Sequence, residues 1–322
     1  MTVRIAVTRR LPAPIEQRLV QDFGARLRDD DAPLAADQLH ALLAAHEVVI
    51  PTITDRLDAA ALAAGKGTLR LLANFGAGIN HVDLDAARAL GIAVTNTPGV
   101  LTDDTADLTL LLLLAVARRA REGETEVRTG RWDGWRPTHL LGTRVTGATL
   151  GLVGFGRIGQ AVARRAAAGF GMRVLCHGRR AVDPDVARAC GATPVDTLDT
   201  LLSASDFVSL HCPATPGTRH LIGARELARM QPTAFLVNTA RGDVVDEAAL
   251  LQALERGTLA GAALDVFERE PAIPDLLRHH PRVYALPHLG SATVHSRVAM
   301  GERVLRNVEA LLGGEALPDR VA

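Results

Sequence analysis

Short apolar runs alternate with longer stretches rich in alanine and leucine along most of this chain. In the first hundred residues the apolar runs predict four strands, at residues 5–8, 48–51, 69–74 and 92–95. Helical patterns lie between them, as at residues 34–45 and 57–64. Strands that alternate with helices are typical of a parallel sheet, because each helix carries the chain back to the start of the next strand.

The same alternation continues in the second half of the chain. Six further strands are predicted, at residues 148–153, 173–177, 206–211, 234–238, 261–266 and 283–286. The pattern also predicts one long helix over residues 102–121, with Thr102 or Asp103 as its N-cap and arginines at its C-terminal end. An amphipathic helix over residues 297–312 is expected to pack on the N-terminal half. The predicted fold class is α/β, with two Rossmann-like or flavodoxin-like parallel-sheet domains.

A glycine-rich turn follows the strand at residues 148–153 and precedes a helix predicted over residues 160–168. Gly154, Gly156 and Gly159 have the G-x-G-x-x-G spacing of a dinucleotide site. The first glycine permits a tight turn, the second lets amides approach a pyrophosphate, and the third lets the helix pack closely. The helix N-terminus adds unpaired N–H groups and partial positive charge. We therefore predict a dinucleotide-binding domain over residues 101–288, inserted in a discontinuous substrate-binding domain of residues 1–100 and 289–322.

Two arginines follow the next predicted strand. In dinucleotide-binding folds, an acidic residue about 20 positions beyond the glycines binds the free ribose hydroxyl of NAD. Here Gly178 occupies that position, and Arg179 and Arg180 follow it. A small residue followed by two guanidinium groups suits a 2′-phosphate, so we predict a preference for NADPH, with NADH still accepted. A solvated basic loop is the alternative interpretation.

Composition limits the class of protein. The 322 residues include 36 basic and 36 acidic side chains, and no long basic run occurs, so nucleic acid is not an expected partner. The three cysteines are odd in number and lack metal-ligand spacing, which indicates a reducing compartment and no metal site. Residues 1–10 do not resemble a signal peptide, and the apolar residues 108–117 are too few to span a bilayer. We expect a cytoplasmic protein with no membrane partner.

Polar side chains follow three of the later predicted strands, where ligands bind in an open α/β sheet. Arg241 follows residues 234–238, Glu270 lies in the turn beyond residues 261–266, and His288 follows residues 283–286. Arginine binds a carboxylate through two parallel hydrogen bonds. Histidine can donate a proton to a carbonyl oxygen, and a carboxylate can orient it. A surface turn for Arg241 and a helix cap for Glu270 are the alternatives.

Seven segments in this chain resemble motifs of the D-isomer-specific 2-hydroxyacid dehydrogenases, and most closely those of the glyoxylate/hydroxypyruvate reductase branch. They are the glycine fingerprint and residues 74–78 (NFGAG), 94–99 (VTNTPG), 105–107 (TAD), 238–242 (NTARG), 265–271 (DVFEREP) and 287–293 (PHLGSAT). The resemblance covers nearly the whole length.

The resemblance implies roles for individual residues. Arg241, Glu270 and His288 would be the catalytic arginine, glutamate and histidine, and the amides of Ala77 and Gly78 would help to hold the substrate carboxylate. Homodimerisation through the nucleotide domain is also implied. Together with the fingerprint and the arginine loop, the predicted cofactor-binding residues are Thr105, Gly154, Gly156, Arg157, Ile158, Gly159, Arg179, Arg180, Cys212, Pro213, Thr239, Ala240, Asp265 and Gly290.

Two features refine the resemblance. The chain has Ile-Asn-His-Val-Asp at residues 79–83, where an Asp-Asn pair is more usual, and His81 is expected to be structural. Trp132 and Trp135 resemble a segment that reaches toward a partner's active site in the reductase branch, and anchoring of a dimer interface is the alternative.

The sequence therefore predicts NADPH-dependent reduction of a small 2-oxo acid, glyoxylate or hydroxypyruvate, to the 2-hydroxy acid. The nicotinamide would deliver hydride to C2, while His288 donates the proton. The alternatives within the enzymes are another D-2-hydroxyacid, phosphoglycerate, formate or phosphonate dehydrogenase. From a different class, a dinucleotide-sensing corepressor that binds protein motifs would share the fold.

Overall fold

The computed structural model describes residues 3–322, and these form two compact α/β units. One unit contains the described residues up to Leu101 together with Ala292–Ala322, and the other contains Thr102–Ser291. The second unit is thus inserted in the chain of the first. Each unit has its own parallel sheet, so the predicted fold class is confirmed.

The strands and helices alternate along both units. The strands are β1 (Ile5–Val7), β2 (Val48–Ile50), β3 (Leu71–Ala73), β4 (Ala93–Thr95), β5 (Thr149–Val153), β6 (Arg173–His177), β7 (Ala192–Pro194), β8 (Phe207–Leu210), β9 (Phe235–Asn238), β10 (Gly261–Leu264) and β11 (Val283–Ala285). The helices are α1 (Ala13–Phe23), α2 (Ala36–Ala45), α3 (Ala59–Ala64), α4 (Leu84–Ala89), α5 (Thr102–Ala117), α6 (Ala120–Arg128), α7 (Arg157–Phe170), α8 (Pro184–Ala189), α9 (Leu198–Ala204), α10 (Ala224–Leu227), α11 (Glu247–Arg256), α12 (Asp275–His279) and α13 (Val294–Gly313). A 3-10 turn spans Gly242–Val244.

The first unit is a four-stranded sheet in the order β1-β2-β3-β4, in which every neighbouring pair is parallel. Successive side chains of a strand point to opposite faces, so the sheet supplies two cores. On one face Ile5 and Val7 pack with residues of α1 and α13, and on the other Val49 and Leu72 pack with residues of α2 and α3. The amphipathic helix α13 therefore completes the core of the N-terminal half.

The second unit is a seven-stranded sheet in the order β11-β10-β9-β8-β5-β6-β7, and all its strands are parallel. Residues of α5 and α7 cover one face, and residues of α9, α10, α11 and α12 cover the other. The chain leaves β5 toward β6 on one side and later returns to β8 on the other. This change of direction makes the carboxyl ends of β5 and β8 the expected ligand-binding position.

The single long helix predicted over residues 102–121 is wrong, because two helices occupy this region. Arg119 has a left-handed conformation, with φ of 54°, and separates α5 from α6. The carbonyl of Ala117 accepts a hydrogen bond from the amide of Thr143 at 2.8 Å instead of continuing the helix. The N-cap assignment is also wrong, since Thr102 is already the first residue of α5. Thr143 lies beyond α6 in the chain, so a local sequence pattern around residue 117 does not reveal this hydrogen bond.

Strand β7 was missed by the sequence pattern. It is a three-residue strand at the edge of the sheet and contains Pro194. Proline lacks an N–H donor and is confined to such edges, so its presence obscured the strand.

The most apolar segment of the chain, residues 108–117, lies within α5. Leu112 and Leu113 are fully buried there, whereas Leu111 is exposed. Across residues 3–322, no helix combines the length and the apolar character that crossing a membrane would need.

Candidate active site

The glycine fingerprint forms the turn between β5 and α7. Gly154 has a φ of 95°, which L side chains rarely adopt. A Cβ at this position would lie 2.7 Å from main-chain atoms of His211 and Cys212, so the turn is pressed against the end of β8. A Cβ on Gly159 would lie 2.5 Å from the carbonyl oxygen of Gly154. These two positions therefore exclude any side chain.

Gly156 differs from the other two glycines because a Cβ there would meet nothing within 4 Å. It is the N-cap of α7, whose first turn contains Arg157 and Ile158 but no acidic residue. The first amides of a helix have no partner within the helix and carry a partial positive charge. Open space beside such amides fits the pyrophosphate of a dinucleotide.

Arg179 and Arg180 lie next to this turn, beyond the end of β6. His177, the last residue of β6, pairs with Val153 of β5, and its carbonyl accepts a hydrogen bond from the amide of Gly154 at 2.8 Å. Both arginines are exposed. Neither guanidinium has a hydrogen-bond or ion-pair partner among residues 3–322. Two cationic side chains are therefore available beside the fingerprint.

Thr105, Thr239 and Gly290 lie together where the start of α5 meets the carboxyl end of the sheet. The hydroxyl of Thr105 donates to the carbonyl of Gly290 at 2.9 Å. The hydroxyls of Thr109 and Thr239 are also 2.9 Å apart. Ala240 follows Thr239, and its amide donates to the side chain of Asn238 at 3.0 Å. These bonds join α5, β9 and the segment after β11 into one edge of the candidate site.

Cys212 and Pro213 follow β8, on the other side of the glycine turn. Burial raises the pKa of the Cys212 thiol to about 11, so the side chain is a neutral thiol near neutral pH. Its main-chain nitrogen lies against Gly154, as described above, whereas Pro213 is exposed. This segment can contact a ligand by its main chain but offers no reactive thiolate.

Asp265 holds the turn that carries His288. Asp265 directly follows β10 and is 1% exposed. Its carbonyl accepts from the amide of His288 at 2.8 Å, and its carboxylate accepts from the amides of Leu289 at 2.6 Å and Gly290 at 2.8 Å. Burial raises the pKa of Asp265 to about 6, although those two amides and the charge of His288 oppose the shift. Three consecutive amides are thus bound by one residue.

His288 and Glu270 form a direct pair. Nδ1 of His288 lies 2.7 Å from Oε2 of Glu270, and His288 has a left-handed φ of 56°. The other carboxylate oxygen of Glu270 accepts from the amide of Phe267 at 2.9 Å. Burial raises the pKa of Glu270, but the hydrogen bond and charge of His288 outweigh it, and the net pKa is lowered. The helix-cap interpretation of Glu270 is wrong, because Pro274 precedes α12 as its N-cap.

Arg241 follows β9 in an extended conformation and is half-buried, so it is not an exposed turn residue. Its main-chain carbonyl accepts from the side chain of Asn238 at 2.9 Å, and its guanidinium donates to the carbonyl of Ala240 at 2.6 Å. Burial lowers the pKa of Arg241, and the negative charge of Glu270 opposes that shift. Arginine nevertheless remains charged in proteins, so a cation lies near the Glu270 carboxylate.

In the first unit, the loop after β3 has its carbonyls bound by side-chain amides. Asn74 donates to the carbonyls of Gly76 at 2.9 Å and Gly78 at 3.0 Å, and Asn96 donates to that of Ala77 at 2.8 Å. The amides of Ala77 and Gly78 donate to no other residue within 3–322.

His81 supports the same loop indirectly. Its Nε2 lies 3.1 Å from the side-chain oxygen of Asn74, which is the residue that binds two of the loop carbonyls. This contact fits the structural role expected for His81.

The second unit thus groups Arg241, Glu270 and His288. Trp132 and Trp135 are 54% and 83% exposed, in a segment without regular secondary structure. Sequence reasoning missed the residues that hold the group through the main chain, such as Asn238. An asparagine at a strand end that bonds to its own turn is the signal that could have identified it.

The doubly wound sheet and its glycine turn define a dinucleotide-binding fold of the kind that dehydrogenases use. The family model for the D-isomer specific 2-hydroxyacid dehydrogenase, NAD binding domain, matches residues 110–290. The chain belongs to this family, and the resemblance drawn from the motifs is confirmed. It is 43% identical to the glyoxylate reductase of Thermococcus litoralis over 326 residues, covering 100% of this chain and 97% of that protein.

Solved structures agree with this assignment. A protein from Thermus thermophilus is 45% identical, with a TM-score of 0.90 over 99% of this chain and 100% of that one. The NADPH-dependent glyoxylate/hydroxypyruvate reductase of Sinorhizobium meliloti, solved with NADP and malonate, is 36% identical. Its TM-score is 0.87 over 100% of this chain and 97% of that chain.

Proposed function

We propose that this chain reduces a small 2-oxo acid, glyoxylate or hydroxypyruvate, to the 2-hydroxy acid with a nicotinamide dinucleotide. The observation that carries the proposal is the 2.7 Å pair of His288 and Glu270, close to a half-buried arginine on the sheet that bears the glycine turn. Relatives named glyoxylate reductase support the choice of acid. Residues 101–288 would bind the dinucleotide, and residues 1–100 and 289–322 the substrate.

Each member of the group has a part in this reaction. Arg241 binds the substrate carboxylate through two hydrogen bonds, a geometry that lysine does not reproduce. His288 donates a proton to the carbonyl oxygen as that oxygen becomes an alkoxide, and Glu270 holds the imidazole and stabilises its protonated form. The bound reduced nicotinamide supplies the hydride for C2. The amides of Ala77 and Gly78 are proposed as further donors to the carboxylate.

The cofactor would be held by the predicted residues around the glycine turn. The pyrophosphate would lie over Gly156 at the start of α7, where the space is open. Arg179 and Arg180 would bind the 2′-phosphate of NADPH, and Gly178 leaves no acid for the free hydroxyl of NADH. The NADP bound to the Sinorhizobium meliloti reductase supports this preference.

A second copy of this chain is the proposed partner, bound through the inserted unit. Five large hydrophobic side chains of the inserted unit are exposed, which supports this proposal: Leu111, Val127, Trp132, Trp135 and Leu141. Leu141 also lines a cavity of about 320 Å³, together with Phe235 and Tyr284 among others. Sedimentation velocity would test the dimer, and a monomer at micromolar concentration would contradict it.

The three free cysteines support the proposed cytoplasmic location.

A steady-state screen of short 2-oxo acids, each with NADPH and with NADH, tests the proposed function. Oxidation of the cofactor should depend on glyoxylate or hydroxypyruvate, and Arg241→Lys should greatly reduce kcat/KM. Near-native turnover of glyoxylate by that variant would remove the proposed carboxylate anchor. Dinucleotide binding without turnover of any 2-oxo acid would instead favour a sensor.

A further inference from the structure

The loop that carries Arg241 and the loop that carries Glu270 meet main chain to main chain. The contact occurs at Gly242, directly after Arg241. A Cβ on Gly242 would lie 1.9 Å from the carbonyl carbon of Phe267 and 2.2 Å from the nitrogen of Glu268. No side chain fits between the two loops, so the peptide joining Phe267 to Glu268 rests on the backbone beside Arg241.

Two glutamates, one on each side of this contact, each accept a hydrogen bond from the other's main-chain amide. The carboxylate of Glu268 accepts from the amide of Glu247 at 3.2 Å, and the carboxylate of Glu247 accepts from the amide of Glu268 at 2.8 Å. Glu247 is the first residue of α11, whose leading amides have no partner within the helix. Glu268 therefore completes the N-terminus of the helix that follows the Arg241 loop. Burial raises the pKa of Glu247, and the amide of Glu268 opposes that shift.

His220 connects the same two loops from a third segment. Its amide donates to the carbonyl of Asp243 at 2.7 Å, and its Nε2 lies 3.0 Å from Oε1 of Glu268. Its Nδ1 is 4.0 Å from the carboxylate of Asp246. His220 adopts a left-handed φ of 51°, which turns its backbone to one loop and its ring to the other. The ring of His220 therefore lies between the carboxylates of Asp246 and Glu268.

We propose that Glu247, Glu268 and His220 form a brace that positions Arg241 relative to Glu270 for the proposed reaction. The link to Glu270 is direct, because the amide of Phe267 donates to its carboxylate at 2.9 Å, within the segment that the brace holds. The link to Arg241 is its chain neighbour Gly242. The members of the brace are positioning residues, and the inference rests on the proposed function.

Kinetics and hydrogen exchange of Glu268→Ala, Glu268→Gln and a control variant test the brace. Glu226→Ala is the matched control, because Glu226 and Glu268 each have a side chain 17% exposed and each accept a backbone amide at 3.2 Å. Loss of a charge-assisted hydrogen bond should lower kcat/KM for glyoxylate about tenfold or more in Glu268→Ala, through both KM and kcat. KM for NADPH should change less than about twofold, because within residues 3–322 no hydrogen bond or ion pair joins the glycine turn to Glu247, Glu268 or His220. Glu268→Gln keeps an acceptor and should recover most of the loss.

Hydrogen exchange gives a readout that does not depend on catalysis. The amide of Glu247 should exchange faster in Glu268→Ala and remain protected in Glu226→Ala. If Glu268→Ala does not fold, Glu247→Ala tests the brace from the other side by removing the acceptor of the Glu268 amide. If Glu268→Ala reduces glyoxylate with parental kinetics, or if its KM values for glyoxylate and NADPH rise equally, the brace is overturned. If the parent protein reduces no 2-oxo acid, the proposed function fails, and unchanged exchange at Glu247 would separately overturn the brace.

Discussion

Replacing Arg179 and Arg180 together by alanine should remove most of the preference for NADPH. Each arginine is exposed and available beside the glycine turn, so each can make one charge-assisted hydrogen bond to a 2′-phosphate. Such a bond contributes about 1.5–3 kcal/mol when buried and about 1 kcal/mol when water and salt screen it. Two exposed bonds give about 2 kcal/mol, which corresponds to roughly 30-fold in kcat/KM at 1.4 kcal/mol per tenfold.

The assay compares kcat/KM for NADPH and NADH at saturating glyoxylate, in the parent and in the double variant. The ratio of the two values should fall by that factor in the variant, while kcat with NADH stays close to the parental value. Because the Debye length shortens from about 30 Å at 0.01 M to about 10 Å at 0.1 M salt, the parental preference should also decline as salt is added. The variant should show a much weaker salt dependence.

Arg173→Ala is the control for general loss of positive charge. Arg173 is an exposed arginine at the amino end of the same strand, away from the glycine turn. Its replacement should leave the NADPH/NADH ratio unchanged. A parental preference for NADH, or an unchanged ratio in the double variant, would refute the role given to Arg179 and Arg180. Either result would leave the family assignment intact.

Four further substitutions test the rest of the site. Glu270→Gln removes the charge that faces His288, so the decline of glyoxylate reduction with rising pH should begin at lower pH; an unchanged pH profile would contradict the role of Glu270. Asp265→Asn removes one acceptor for the amides of Leu289 and Gly290, at about 2–3 kcal/mol, and should lower kcat/KM about 30- to 150-fold. Its melting temperature at pH 7 should stay close to the parental value, because an ionised carboxyl whose pKa is raised to about 6 destabilises the fold at that pH. Activity within threefold of the parent would exclude the role of Asp265 in holding the turn of His288. Gly156→Ala should raise KM for the cofactor without lowering the melting temperature, whereas Gly154→Ala should lower both stability and affinity, and equal melting temperatures for the two variants would contradict the geometry of the turn.

Most of the fold followed from the apolar pattern, because each strand buries a short continuous run between two helical layers. The strand at Arg173–His177 has the predicted limits, and each other predicted strand differs from the structure by one or two residues at one or both ends. The pattern failed where a distant segment decides the structure. The amide of Thr143 donates to the carbonyl of Ala117 at the end of α5, although the sequence around residue 117 contains no proline or glycine that would end a helix. Local propensity therefore predicts the existence of an element better than the position of its end.

The candidate site was predictable in its members but not in its supports. Arg241, Glu270 and His288 could be chosen because each follows a strand of a parallel sheet, and such strand ends meet at one edge. The distance between His288 and Glu270 depends on the turn after β11, and that turn depends on amides bound by Asp265. Long-range hydrogen bonds of this kind leave no periodic signal in the sequence. The same holds for Glu268 and Glu247, which lie 21 positions apart and bind each other's amides.

The arrangement of Glu270 and His288 therefore depends on backbone geometry as well as on the side chains themselves. His288 has a left-handed conformation, which a non-glycine residue adopts only when its surroundings hold it there. Asp265 supplies that hold from a buried position, even though burial itself disfavours its charge. A buried carboxylate of this kind lowers stability at neutral pH, whereas its hydrogen bonds fix the turn that carries His288. Substitutions of residues that hold these loops without contacting substrate or cofactor, such as Asp265 and Glu268, should consequently affect turnover as strongly as many substitutions of contacting residues.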